Sequence, residues 1–146
     1  MVRWLLAALV LTLAGYFFWL KTISTGSRLQ VGKSTVKVEI RDDEAGRNLG
    51  LSGRINLAED EGMLFVFDSP ARHEFWMKDM NFPLDFVWIN DSLVVDLSEH
   101  IPPPDKLTNE PPMTVQPKAP VIQVLEVNSG WIEQHQTKVG DRVEML

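Results

Sequence analysis

The chain has 146 residues, of which 45% are apolar and 23% are charged, a composition typical of a folded domain and not of a disordered chain. Its formal net charge is −6, and residues 31–146 carry 11 Lys and Arg against 20 Asp and Glu, which argues against nucleic-acid binding. The chain has no cysteine, which excludes disulfides, thiolate metal sites and a thiol nucleophile.

The N-terminal segment predicts a membrane anchor at residues 1–21. Arg3 is followed by 17 uncharged residues, from Trp4 to Leu20, and then by Lys21. A membrane helix needs about 20 apolar residues, and aromatic residues favour both interfaces of a bilayer. The alternative is a signal peptide that is cleaved after export. The first interpretation gives a single-pass protein of the inner membrane, with a cytoplasmic N-terminus and its domain in the periplasm or outside; the second gives a secreted protein.

Residues 22–33 are predicted as a polar tether, and residues 34–146 as the exported domain. "STVKVEI" alternates apolar and polar residues and predicts a half-buried strand. Asp42 or Asp43 can cap one short helix, and Gly50 or Gly53 can close it. Further strands are predicted in "EDEGMLFVF", "RHEFWMK", "LDFVWI" and "LVVDLSEH", the last two joined by a turn at "NDS".

A long irregular loop is predicted at residues 102–120, which hold seven of the nine prolines. After it, "APVIQVLEVNSG" predicts a strand, "WIEQHQ" a helical turn and "VGDRVEM" an edge strand. Many short strands with little helix predict a mainly β domain, a small barrel or a sandwich with one or two short helices.

Five segments resemble one known family: "GLSGR", "EDEGMLFVF", "HEFWMKDMNFPLDFVWI", "PKAPVIQVLEVNSG" and "VGDRVE". Together they resemble the domain of unknown function 192 family, from about Val36 to Glu144. The resemblance implies one compact β-rich domain, often exported, in bacteria and archaea, and it implies no activity. Many members carry two cysteines in the proline-rich loop, where this chain has "PPPDKLTNEPPM", and "FWMKDM" places Met80 where a threonine is more usual.

Lys78 and Asp85 are the first candidates for a site, because both lie within an otherwise apolar aromatic stretch. In a hairpin-like arrangement they could face one another, and a buried carboxylate needs a cation or donated hydrogen bonds. One interpretation is structural, with an ion pair or with Asp85 capping backbone amides of the adjacent loop. The other is a ligand pocket formed by Trp76, Lys78 and Asp85, with His100 at the barrel mouth.

A copper(I) site is a weaker hypothesis, since His73, Met77 and Met80 lie close together near Trp76. Methionine in an aromatic-rich strand is more typical of core packing. We therefore predict neither a metal site nor a cofactor.

Three functions remain open from the sequence. The first is a binding or accessory module for a small ligand. The second is an enzyme that acts on a small exported or cell-envelope molecule through Asp85 with Lys78 or His100, although no motif of a common enzyme class is present. The third is a structural partner of another envelope protein, with the proline-rich loop as the contact surface. Residues 4–20 are expected to contact the membrane. The other expected partner is an unknown small molecule or an envelope protein, and nucleic acid is not expected.

Overall fold

The computed structural model describes residues 26–108 and 111–146. The predicted anchor at residues 1–21 and the first part of the predicted tether lie outside these residues. Within the described ranges, no helix is both long enough and apolar enough to cross a membrane.

The described residues form nine strands and two short helices. The strands are β1 (Ser27–Val31), β2 (Ser34–Arg41), β3 (Glu61–Ala71), β4 (Phe75–Trp76), β5 (Leu84–Asn90), β6 (Leu93–Ile101), β7 (Thr114–Val115), β8 (Val121–Asn128) and β9 (Val143–Met145). The helices are α1 (Glu44–Leu49) and α2 (Trp131–His135). The mainly β class predicted from the sequence is confirmed, and of the one or two short helices predicted, two are present.

Seven of these strands form one sheet in the order β6-β5-β8-β3-β2-β1-β9. The β2–β3 pair is parallel, and the other neighbours are antiparallel. An isolated bridge between Leu93 of β6 and Arg142, next to β9, joins the two ends of the sheet. The sheet is therefore curled, with its ends meeting only at this bridge, and we call it the half-barrel; β4 and β7 form a separate two-stranded sheet.

The β1 strand differs from the predicted tether at residues 22–33. Ser27–Val31 pairs with both β2 and β9, and the side chains of Leu29 and Val31 are buried. These two residues alternate with polar neighbours, so that one face of β1 contributes to the core. The folded domain thus includes residues assigned to the tether from their polar composition.

Each face of the half-barrel carries its own apolar cluster because alternate residues of a strand point to opposite faces. In β3, for example, Leu64 belongs to one cluster, and Met63 and Phe65 belong to the other. We call the first the inner cluster; α2 packs on it with Trp131 and Ile132. The outer cluster is completed by residues from the segment after α1 and from the β4–β5 connection: Leu51, Leu57, Met77 and Met80.

The α1 helix begins and ends as its sequence predicts. The Asp43 carboxylate accepts a hydrogen bond from the Gly46 N–H at 2.8 Å, which caps the first turn. Gly50 ends the helix with a positive φ of 50°, a conformation that glycine adopts without steric cost. The chain then turns so that Leu51 is buried in the outer cluster.

The predicted "RHEFWMK" strand is shorter and pairs differently. Only Phe75–Trp76 is a strand, and it pairs with β7 in the proline-rich loop, not with β5. Both edges of β5 are occupied by β6 and β8, and the chain leaves β4 through Asp79, whose φ is 57°. The hairpin-like arrangement expected to face Lys78 towards Asp85 therefore does not form.

Candidate functional site

The Asp85 carboxylate is fully buried and is bonded only to backbone amides among the described residues. Oδ1 accepts from the N–H of His100 at 2.8 Å, and Oδ2 accepts from Gly130 at 3.0 Å and Ile132 at 3.1 Å. Gly130 is the N-cap residue of α2 and has no side chain that could accept a hydrogen bond, and Ile132 lies in the first turn. Asp85 therefore caps α2 from a neighbouring strand.

The same carboxylate stabilises a bulge in β6. The β5–β6 register shifts between Leu84, paired with Ile101, and Phe86, paired with Ser98. His100 lies in this bulge with a φ of 57°, and its backbone N–H reaches Asp85. Of the two structural interpretations of Asp85, the capping of backbone amides is the one that the structure contains.

Lys78 forms no ion pair with Asp85. Its ammonium Nζ lies 5.1 Å from the ring centroid of Trp76 on the exposed side of the chain, a cation–π arrangement. Asp85 shares a strand face with Val87 of the inner cluster, whereas Phe75, beside Trp76, packs against the outer cluster. The four predicted ligand-binding residues thus form two separate pairs, Trp76 with Lys78 and Asp85 with His100.

The imidazole of His100 lies beside Ser129, with 2.9 Å between Nδ1 and Oγ.

His73 stacks on the Phe67 ring at 3.5 Å between centroids, and Met77 and Met80 are buried in the outer cluster. The two thioethers thus take part in core packing. Over the ranges 26–108 and 111–146, no group of three His, Cys, Asp or Glu side chains could hold a metal ion.

A cleft of about 310 Å³ opens on the outer side of the half-barrel. We call it the aromatic cleft, and it is formed by α1, β3, β4 and the connection between β3 and β4. Its lining residues are Arg47, Asn48, Phe65, Phe67, His73, Glu74, Phe75 and Trp76. A volume of this size is at the lower end of the range found for small-molecule sites.

The walls of the aromatic cleft are already packed against one another. Phe75 meets Phe65 edge to face at 5.0 Å and Trp88 at 5.7 Å between ring centroids. The Arg47 guanidinium lies 5.3 Å from the Phe67 ring centroid, and its Nη1 donates to the carbonyl oxygen of Val66 at 2.9 Å. Trp76 is 58% exposed, so that this wall is open to solvent.

A smaller niche of about 30 Å³ adjoins the aromatic cleft. The two share four lining residues, Arg47, Asn48, Phe75 and Trp76. The remaining lining residues of the niche are Leu49, Gly50, Leu51, Ser52, Met80, Leu84 and Glu126. We call this space the Glu126 niche, after the one carboxylate among its lining residues.

Sequence reasoning missed Glu126, because it alternates with Leu125 and Val127 in β8 as the polar residue of a half-exposed strand does. In the structure only 6% of Glu126 is exposed, because α1 and the segment after it cover this face of the sheet. Burial raises the pKa of the Glu126 carboxyl to about 8, and the charge of Arg54 opposes this effect. The local sequence of β8 carries no signal for this burial, because the central position of β8 in the sheet is seen only in the structure.

Two other acidic residues are held in ion pairs. Arg54 donates to both Glu39 oxygens, at 2.6 and 2.8 Å, and this hydrogen bonding lowers the pKa of Glu39. Asp96 is nearly buried, which on its own would raise its pKa, but hydrogen bonds from the Lys118 backbone N–H and ammonium lower it. Both pairs secure loops to the sheet.

The family is established by a match over most of the chain. Residues 27–145 match the DUF192 family, described as "Uncharacterized ACR". The chain therefore belongs to the domain of unknown function 192 family, as the sequence motifs indicated. The class of protein that fold and family define together is a half-barrel domain of this family.

Two solved structures are similar to this chain. A protein from Sinorhizobium meliloti 1021, described as "a putative transcription regulator", is 28% identical; the alignment covers 83% of this chain and 94% of that one, with a TM-score of 0.74. A protein of unknown function from Novosphingobium aromaticivorans DSM 12444 is 26% identical over 80% of this chain and 83% of that one, with a TM-score of 0.72. None of the curated proteins compared matches the chain.

Proposed function

We propose that this protein is a membrane-tethered, extracytoplasmic binding module, and that it holds a small ligand in the aromatic cleft. The observation that carries this proposal is a concave surface of about 310 Å³ with several aromatic side chains in its walls. Concave, mainly apolar sites with a few polar groups are where proteins bind small molecules.

The packing of the cleft favours binding, because the walls need little reorganisation. Phe67 contacts both the stacked ring of His73 and the guanidinium of Arg47. Phe75 is fixed by edge-to-face contacts with rings of the outer cluster. Side chains that are already ordered lose little conformational entropy when a ligand arrives. Trp76 leaves much of a large aromatic ring in water, where a ligand could cover it.

The tether is supported by the sequence alone. The uncharged segment at residues 4–20 precedes the family match, which begins at residue 27. In this proposal the segment anchors the chain in the inner membrane with its N-terminus in the cytoplasm, and the half-barrel lies in the periplasm or outside. The alternative is export followed by removal of the segment.

The geometry favours binding over the catalytic hypothesis for Asp85. Both oxygens of this carboxylate accept backbone hydrogen bonds, which leaves it poorly placed to take a proton from a substrate. The similar Sinorhizobium protein is described as a putative transcription regulator. We do not propose such a role for this chain, because residues 31–146 have nine more acidic than basic residues, and this charge disfavours DNA binding.

The proposal is tested by titrating the full chain, in detergent micelles, with two small probes, benzylamine and benzyl alcohol. Binding is measured by isothermal calorimetry, with protein-free micelles subtracted. We expect Trp76→Ala to weaken the binding of both probes by about two- to tenfold, the value of one aromatic contact. Leu107→Ala is the matched control, because Leu107 is an equally apolar but 94% exposed side chain in the proline-rich loop. Equal binding by the native chain and by Trp76→Ala would contradict the proposal.

A further inference from the structure

We infer that the Glu126 niche is a recognition site for an ammonium group, so that the ligand of the aromatic cleft is an amine with an apolar body. This inference rests on the proposed function and adds the chemical class of the ligand. Four observations on the described residues carry it: an unpaired buried carboxyl, the size of the niche, its aromatic wall and the charge of the domain.

The carboxyl of Glu126 has no hydrogen-bond partner among the described residues, and its oxygens keep some access to solvent. Only 6% of the residue is exposed, and its side chain accepts no hydrogen bond from any described residue. Its cross-strand neighbours, Met63 in β3 and Phe86 in β5, are apolar. A buried polar group without a partner destabilises a fold, so its presence beside a cavity points to a bound group that supplies the missing contact.

The two arginine side chains near Glu126 already form other interactions. Arg54 is the cation whose charge acts on Glu126, and its guanidinium is hydrogen bonded to both oxygens of Glu39. Glu61 also acts on Arg54. Arg47 lines the niche, but its guanidinium donates to backbone carbonyls and lies over Phe67. None of the ion pairs among the described residues includes Glu126.

The volumes of the niche and the cleft indicate a ligand with two parts. A volume of about 30 Å³ in the niche accepts a group of one or two heavy atoms, since about 10–15 Å³ is enough for one water molecule. The adjoining aromatic cleft, about ten times larger, accepts the body of the ligand. Because the two share Phe75 and Trp76, a short linker reaches from one to the other.

The chemistry of the niche favours a cation. The aromatic side chains of Phe75 and Trp76 line it together with the carboxyl of Glu126, and both kinds of group attract an ammonium ion. The acidic excess of residues 31–146 attracts cations over longer distances. Since burial raises the pKa of Glu126 to about 8, an ammonium that enters near pH 7 displaces a proton from the carboxyl to solvent.

The experiment compares benzylamine with benzyl alcohol, which differ only in the head group. In the full chain we expect benzylamine to bind more tightly, and its affinity to rise about tenfold per pH unit between pH 6 and 8, as Glu126 loses its proton. Calorimetry at pH 7 in two buffers of different ionisation enthalpy should show release of close to one proton per amine bound. The affinity for benzyl alcohol should not rise with pH.

Glu126→Gln should abolish the preference for the amine, its pH dependence and the proton release. Glu133→Gln, an exposed residue of α2, is the matched control and should retain all three. A preference that survives in Glu126→Gln, or amine binding by the native chain without proton release, would overturn the inference. The affinity of Trp76→Ala for benzyl alcohol separates the two proposals, because this probe has no ammonium group and so tests the aromatic cleft alone.

Discussion

The Asp85 carboxylate of β5 and the backbone N–H of Ile132 in α2 are joined by a 3.1 Å hydrogen bond, across 47 positions of the chain. Two further amides, those of His100 and Gly130, reach the same side chain. A single buried carboxylate thus links the half-barrel, the bulge of β6 and the start of α2.

Asp85→Ala should lower the free energy of unfolding by about 3–5 kcal/mol, because three backbone amides lose their acceptor and each buried unsatisfied donor costs about 1–3 kcal/mol. Asp85→Asn keeps one acceptor oxygen and should cost less. Lys78→Met is the control and should change stability by less than about 0.5 kcal/mol, since Lys78 is exposed. Urea denaturation followed by circular dichroism measures all three. An equal loss of unfolding free energy in Lys78→Met and Asp85→Ala would contradict this account, because it would indicate an interaction between the two side chains.

Glu126 gives the stability of the domain an unusual pH dependence. Its pKa is raised from 4.5 to about 8 in the folded chain, so between these values the folded state holds a proton that the unfolded state has lost. The free energy of unfolding should therefore fall as pH rises through this window, by a total on the order of a few kcal/mol, and level off above pH 8.

Glu126→Gln should remove this slope, because a neutral amide stays uncharged throughout the window. The variant should be more stable than the native chain at pH 8 and similar to it at pH 5. Denaturant titrations at four values of pH check this. The lowered pKa values of Glu39 and Asp96 act below this window and do not obscure it. The same slope in both proteins would show that Glu126 is not the group responsible.

Asp96 and Lys118 should contribute unequally to stability, although they form one ion pair. Asp96 accepts from the N–H of Leu97 and from both the backbone N–H and the ammonium of Lys118. Lys118→Met removes only the ammonium, whose side chain is 87% exposed, and should cost about 0–1 kcal/mol.

Asp96→Ala leaves two backbone amides without an acceptor and should cost about 2–4 kcal/mol. The contribution of Asp96 is present above its unfolded pKa of 3.8 and is lost as pH falls through its lowered folded value. Thermal unfolding of both variants at pH 7 makes the comparison. A larger loss for Lys118→Met than for Asp96→Ala would contradict this account.

The fate of residues 1–21 is measurable by the intact mass of protein recovered from washed membranes. We expect the mass of the uncleaved chain, since the segment at residues 4–20 is longer than the apolar core of a signal peptide. Deletion of residues 4–20 should leave the chain in the soluble fraction of the cell. A membrane-free protein of reduced mass in the native strain would instead support a cleaved signal.

Alternation and turn residues predicted most of the fold. The strand at Ser34, the α1 cap at Asp43 and the turn at Asn90–Ser92 all follow from local patterns, which dominate where one face of a strand is buried. The pairing of β4 with β7 could not be predicted in this way, because it joins residues about 40 positions apart through an irregular loop. The error about Lys78 and Asp85 followed from that one pairing.

The site was predicted only in part. Trp76 was predicted to form a ligand pocket with Lys78 and Asp85, and it lines the aromatic cleft, whereas Lys78 and Asp85 are not among the lining residues. Glu126 and Arg47 were missed, because their importance depends on α1 covering the outer face of the sheet. That covering is a long-range packing event, which the local sequence of β8 does not encode.

The central claim is that the aromatic cleft binds a small molecule, and nuclear magnetic resonance tests it most directly. The ¹⁵N–¹H resonances of the full chain, including the indole N–H of Trp76, would be followed during a titration with benzylamine. The account predicts that saturable shifts concentrate on Trp76, Phe75, Arg47 and Asn48, while the resonances of α2 stay in place. Shifts that are absent from these residues, or that scatter evenly over the half-barrel, would contradict it.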